Sequence, residues 1–233
     1  MRWSELPASP WWFVILVTVG GAAVGEVLRR RLATGGYRLD DETGAPPRLP
    51  AAAVPIALAL LWGLLGLRFG LTAHGALVPA YLGFATVALA LAWIDADVHR
   101  LPRGLTRPAY PLLVGQLALA SLASGDGAAL RRAVVSGVVL WVVYLVLAVV
   151  AALLGSGFGL GDVTLAGLVG LATGYVSVTA VLVATFAAFL LSGVYGVARI
   201  VLRRGTRKDD IAFGPWMLVG TLLALVVEVR PLL

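Results

Sequence analysis

The sequence predicts an all-α membrane protein, a polytopic bundle of about eight transmembrane helices. Three observations predict it. Apolar residues make up 60% of the chain and charged residues 13%, with a mean hydropathy of +0.95, whereas a soluble domain carries about 25% charged residues. The apolar residues fall in long continuous runs, not in the alternating pattern of a membrane β-barrel. The basic residues sit in short clusters between those runs, which is how membrane proteins display them. A soluble fold of this composition would leave large apolar patches in water, whereas lipid solvates the same side chains without penalty.

A transmembrane helix needs about 20 mainly apolar residues. In chain order the runs predict spans over Trp11–Leu28, Ala51–Phe69, Leu77–Ile94, Tyr110–Ala123, Val134–Leu154, a short Val163–Thr173, Val176–Leu202 and Pro215–Val229. The first run reads as a retained span and not a cleaved leader, because Arg29, Arg30 and Arg31 follow it, whereas a signal peptide carries its positive charge first. Small residues at four-residue spacing, in Gly21/Gly25, Gly66/Gly70 and Gly170/Gly174, predict close helix packing in lipid. The segment 29–50 is a polar loop too short for a domain, so residues 1–233 read as one transmembrane domain.

Charge sets the orientation. With the loop after the first span inside, thirteen of the 18 basic residues fall on the inner side; Arg2, Arg68, Arg131, Arg132 and Arg230 fall outside. Basic residues favour the cytoplasm, so both termini are expected outside. Asp95, ending the third span, and Asp162, opening the sixth, are then expected on one cytoplasmic face. A single lysine, Lys208, among abundant alanine, glycine, valine and arginine suggests a high-GC bacterial genome; a multi-pass protein of the bacterial inner membrane is expected.

Several function classes are excluded. The net charge of +6 is dispersed between spans and does not form a nucleic-acid surface. Without cysteine there is no disulfide, thiol nucleophile or zinc knuckle. The two histidines, His74 and His99, could hold a metal only with carboxylate help, so neither metal nor cofactor is expected. His99 reads as a surface residue of a basic loop.

Ionisable groups at the edge of spans are costly and therefore informative. Here they are Glu26, Asp95, Asp97, Asp162 and Glu228. Glu26 precedes three arginines by one turn and is expected to pair with them; Glu228 has Arg230 beside it. In Gly157-Phe158-Gly159-Leu160-Gly161-Asp162 three glycines weaken a helix, by roughly 1 kcal/mol each relative to alanine. They suit non-helical backbone that another chain can approach, or else a turn with Asp162 as a helix N-cap. In Ile94-Asp95-Ala96-Asp97 the two aspartates point to different faces of a helix. One could enter the bundle while the other meets water, or both could be solvated beside Arg100 and Arg103. Asp95 and Asp162 lie 67 positions apart yet converge on one membrane face. Two carboxylates sharing a site do not both ionise easily, so one keeps a proton. That asymmetry is what aspartic peptidase chemistry needs.

At these segments the sequence resembles the type IV prepilin peptidase family, the leader peptidases among the GxGD membrane aspartic peptidases. Asp95 and Pro102 keep that family's seven-residue spacing within IDADVHRLP; Gly157, Gly159, Gly161 and Asp162 match its G-x-G-x-G-D phrase; Ile211-Ala212-Phe213-Gly214-Pro215 is similar to its I-P-F-G-P entry into the last span. The resemblance runs in order over residues 78–225. It implies that Asp95 and Asp162 are the catalytic pair, that Pro102 and the glycines shape the motif and the substrate backbone site, and that Asp97 is a bystander or an auxiliary. It implies prepilin or pseudopilin substrates, in which a short basic leader precedes an apolar helix.

There are departures from the pattern. Arg103 stands where the family has Asn or Asp, and Thr164 where it has Lys. Bifunctional members carry a larger loop, often with paired CxxC motifs, and methylate the new N-terminus; this chain has no cysteine and a short loop, so methyltransferase activity is not expected. The rival readings are a catalytically reduced homologue assisting pilus or secretion assembly, an intramembrane protease, and a small proton- or cation-coupled transporter. Aspartates at one face and not at midplane count against the last.

Overall fold

The computed structural model describes residues 9–39, 50–71, 75–154, 159–202 and 212–226. These residues form eight α-helices: α1 (Trp11–Ala33), α2 (Ala53–Phe69), α3 (Val78–Val98), α4 (Arg103–Ser124), α5 (Gly127–Leu153), α6 (Leu160–Val176), α7 (Val178–Val201) and α8 (Gly214–Val226). A 3-10 turn over Gly75–Leu77 leads into α3, and no strand occurs among the described residues. Helices α1, α3 with its leading turn, α5 and α7 are long and apolar enough to cross a membrane, and α2, α6 and α8 are shorter apolar helices. The chain is an all-helical membrane bundle.

Helix α4 starts at Arg103, seven residues before the expected span, and carries Pro108 and Pro111 inside it. Pro102 takes the N-cap position, and each internal proline removes one backbone donor, a loss that membrane helices tolerate where neighbours re-satisfy the freed carbonyl. Helix α6 likewise outruns its prediction at both ends. It stops at Ser177, whose Oγ accepts from the Ala180 N–H at 2.9 Å and opens α7.

Helix α6 is the centre of the bundle. It packs against α4, α5, α7 and α8, and every residue from Leu165 to Tyr175 is buried. Helices α1, α5 and α7 turn rows of apolar side chains outward, among them Leu16, Val138, Val142, Val146, Leu182 and Val197, as lipid contact requires.

The small-residue pairs sit where helices cross. A Cβ added at Gly170 would lie 2.5 Å from the Ser136 carbonyl oxygen and 2.8 Å from Gly137 Cα; one at Gly174 would lie 2.6 Å from Ser136 Oγ. At the α1–α2 crossing, a Cβ on Gly25 would lie 2.5 Å from Pro55 Cα. Backbones this close leave room for no side chain.

Two charge expectations are resolved. Glu26 pairs with Arg29 Nε at 2.6 Å and Arg30 Nε at 2.8 Å. Arg132, expected on an outer surface, turns inward and closes the C-terminal end of α6: its Nε donates to the Gly174 carbonyl at 2.8 Å and its Nη2 to the Tyr175 carbonyl at 2.5 Å. A cation there satisfies orphan carbonyls and complements the helix dipole. His74, Gly157, Ile211, Glu228, Arg230 and the basic cluster 203–208 lie outside the described residues.

The α5–α6 crossing gives a direct test. Gly170→Ala must push two backbones apart, and overpacking of this kind costs about 1–3 kcal/mol. Thermal unfolding in detergent should show that loss, while Gly193→Ala, where an added Cβ meets nothing within 4 Å, should unfold no earlier than the parent.

Candidate active site

The chain reverses sharply where α3 gives way to α4. Val98 ends the helix and His99 adopts the left-handed conformation (φ 51°), its N–H bonded to the Asp95 carbonyl at 2.9 Å. Histidine is among the few non-glycine residues enriched in this conformation. The reversal lays Leu101 over the first turn of α6, where a Cβ on Gly161 would sit 3.1 Å from the Leu101 side chain. Leu101 thereby fastens the Asp95 segment to the Asp162 segment.

Asp162 is the third residue of α6, not its cap. Gly159 holds the N-cap position with extended backbone (ψ 132°), and the Asp162 N–H donates to the Gly159 carbonyl at 3.0 Å. The expectation of irregular backbone therefore holds at Gly159, whereas Gly161 is already helical. The Asp162 carboxylate folds back toward the start of its helix: Oδ2 lies 3.4 Å from where a Cβ on Gly159 would be. A carboxylate is favoured there by the orphan amides and the helix dipole.

Asp95 is 5% exposed. Its Oδ2 accepts from the Gly214 N–H at 3.0 Å. Gly214 is the first residue of α8, and a Cβ at this position would lie 2.7 Å from Asp95 Oδ2, so the contact requires glycine. Pro215 follows in the first turn, where a missing N–H costs nothing. In the sequence Gly214 stands within the Ile211–Pro215 phrase; its spacing from Asp95 carries no signal that the two touch.

Asp95 and Asp162 line one cavity of about 650 Å3, together with His99, Arg100, Leu101, Pro102, Arg103, Thr106, Gly159, Leu160, Gly161 and Thr164. The two carboxylates interact electrostatically. Pro102, Gly159 and Gly161 share the cavity wall with the aspartates, and His99 is exposed at the rim. Arg103 and Thr164, the two departures, both belong to the cavity wall. Tyr110, which the sequence reading missed, ties α4 to α6 by donating to the Thr164 carbonyl at 2.5 Å. A second cavity, of about 430 Å3 between α2, α3 and α8, is lined by apolar side chains alone. Among the described residues, no three His, Cys, Asp or Glu side chains gather as a metal site would need.

Asp97 does not line the cavity and is not solvated. It is buried on the opposite face of α3 and bound by the segment after α1. Arg38 Nη2 approaches Oδ2 at 2.7 Å and Oδ1 at 2.9 Å, and the Tyr37 hydroxyl donates to Oδ2 at 2.7 Å. The Asp97 bond raises Arg38 further above its ordinary range. Burial, then the Asp97 carboxylate, pushes the Tyr37 phenol up; both groups stay protonated donors. Nothing in the local spacing of Asp97 announces partners 59 and 60 positions away.

The sequence is similar to known proteins. The Type IV leader peptidase family matches residues 82–197, about half of the chain, and that stretch contains both cavity aspartates. A Prepilin leader peptidase/N-methyltransferase of Bacillus subtilis (strain 168) is 27% identical over 172 residues, covering 74% of this chain and 64% of that protein. The chain thus matches a little under two thirds of the relative's length. No solved structure matches significantly. On these matches the chain belongs to the type IV leader peptidase family.

Proposed function

We propose that the protein is a membrane aspartic endopeptidase that removes the leader of type IV prepilins or pseudopilins at the cytoplasmic face of the bacterial inner membrane. The observation that carries this reading is the shared cavity: two aspartates from α3 and α6, remote in sequence, line one space of mixed polarity at the ends of apolar helices. Both sit at helix ends, Asp95 in the last turn of α3 and Asp162 in the first turn of α6. That position suits a substrate whose cleavage site lies where a polar leader meets an apolar helix. It does not suit an ion site at the bundle midplane.

In the mechanism, the ionised carboxylate takes a proton from water while the water oxygen bonds the peptide carbonyl carbon. The protonated carboxyl donates to the carbonyl oxygen. Collapse of the tetrahedral diol breaks the C–N bond: the departing amine takes the proton held by the base, and one diol hydroxyl returns its proton to the other carboxylate as the new carboxyl group forms. The glycine-bounded start of α6 leaves the substrate backbone room to approach. No metal is needed. With no cysteine in the sequence and a short segment between α1 and α2, the proposed activity is peptidase alone.

The test is cleavage of a co-expressed prepilin, read by size shift and by the mass of the new N-terminus. Asp95→Asn and Asp162→Asn should each lower cleavage by at least ~10²-fold, the lower end for loss of an acid–base group, with the protein still in the membrane. The new N-terminus should be unmethylated. A wild-type protein that cuts no prepilin, or an Asn variant that cuts normally, would overturn the reading; the former would favour the assembly factor, for which Arg103 and Thr164 in the cavity wall would be the first cause to examine.

Gly214→Ala tests the contact between α8 and Asp95. Displacing a reacting group by about 1 Å costs on the order of 10²-fold in rate, and that loss in kcat is expected here. Excess chelator should leave cleavage unchanged.

A further inference from the structure

Two charged side chains that could reach water are instead held inside the protein beside the cavity. The Asp97 side chain is 3% exposed and that of Arg38 10%. Desolvating a pair of charges is costly and is repaid only by good geometry and further hydrogen bonds. Both are present. Arg38 meets the carboxylate through Nε at 2.9 Å and through Nη2, a fork on one face, while Tyr37 adds its hydroxyl. The Tyr37 ring packs on the cluster Leu32, Val54, Trp93 and Ile94, next in sequence to Asp95.

The arrangement continues toward the cavity. Arg100 Nη2 donates to the Tyr37 carbonyl at 3.0 Å, and Arg100 lines the cavity that holds Asp95 and Asp162. Asp97 is on the same final turn of α3 as Asp95, and the His99 N–H closes that turn on the Asp95 carbonyl. A segment gripped at Asp97 therefore fixes the turn that carries Asp95 on one side and the Arg100 guanidinium on the other.

We propose that Asp97 is a positioning residue: through Tyr37 and Arg38 it clamps the segment after α1 to the end of α3, and so sets Asp95 and Arg100 at the cavity wall. The proposal rests on the peptidase reading for its kinetic consequence, but the clamp itself can be measured without activity.

The kinetic test uses Asp97→Ala, Arg38→Ala and the double variant in reconstituted, membrane-inserted protein. Each single variant should lose about 10- to 100-fold in kcat, as misplacement of a reacting group by up to about 1 Å would produce, with KM for the prepilin unchanged. The double variant should be no slower than the slower single, because both remove one clamp. Tyr37→Phe removes one bond of the set and should lose less; it also keeps the test open if Asp97→Ala fails to fold. The conformational test exploits the absence of native cysteine. Spin labels on Gly36→Cys and Arg107→Cys, both exposed positions, should give one narrow distance in the parent and a broad or shifted one with Asp97→Ala or Tyr37→Phe. A wild type that cuts, with Asp97→Ala cutting equally well, overturns the positioning role; so do multiplying losses in the double variant. A narrow distance that survives Asp97→Ala overturns the clamp. If the wild type cuts nothing yet the distance broadens, the peptidase reading fails and the clamp stands.

Discussion

A helix enclosed on every side has only its two ends left for polar chemistry, and α6 is such a helix. From Leu165 to Tyr175 it meets protein all round, at crossings so tight that Gly170 faces the backbone of Ser136 and Gly137. Its C-terminal carbonyls are taken by Arg132. Its N-terminal turn is closed over by Leu101 at Gly161 and opens at Asp162 on the cavity. The position of Asp162 follows from that enclosure: a rod packed tightly against α4, α5, α7 and α8 delivers its third residue to one place.

The end of α3 solves a complementary problem. Residues two positions apart on a helix are about 200° apart around its axis, so Asp95 and Asp97 face different sides. The fold uses the divergence. One carboxylate turns to the cavity and meets the first amide of α8; the other turns away and binds Tyr37 and Arg38. Three segments far apart in the chain (the stretch after α1, the end of α3 and the start of α8) are thus joined through two acidic side chains within one helical turn. In an apolar bundle such polar junctions are few, and each is correspondingly specific, because an unpaired charge at the membrane edge has little else to bind.

The cavity combines that rigidity with mixed polarity. Its aspartates share the wall with His99, Arg100 and Arg103, whereas the neighbouring cavity between α2, α3 and α8 carries apolar side chains only. Chemistry and lipid-like packing are therefore separated by the contact of Gly214 with Asp95, and the absence of a side chain at Gly214 is what lets the two helices come that close.

What the sequence determined by itself was whatever is local and repetitive. Run length and continuity gave the eight helices nearly to their ends, but missed the first seven residues of both α4 and α5, where Arg103, Arg107, Arg131 and Arg132 interrupt the apolar run. Four-residue glycine spacing marked the crossings at Gly25 and Gly170. The charge pattern, with an even number of spans between them, placed Asp95 and Asp162 at one end of the bundle. Tertiary structure alone decided which groups touch. Gly214 meets Asp95 across 119 positions, and Arg38 meets Asp97 across 59; Arg132 meets the end of α6 across 42. Such pairs have no period and no fixed spacing. They exist because helices pack at angles set by the shapes of whole faces, and a polar group at a helix end then binds whatever partner that packing brings within 3 Å.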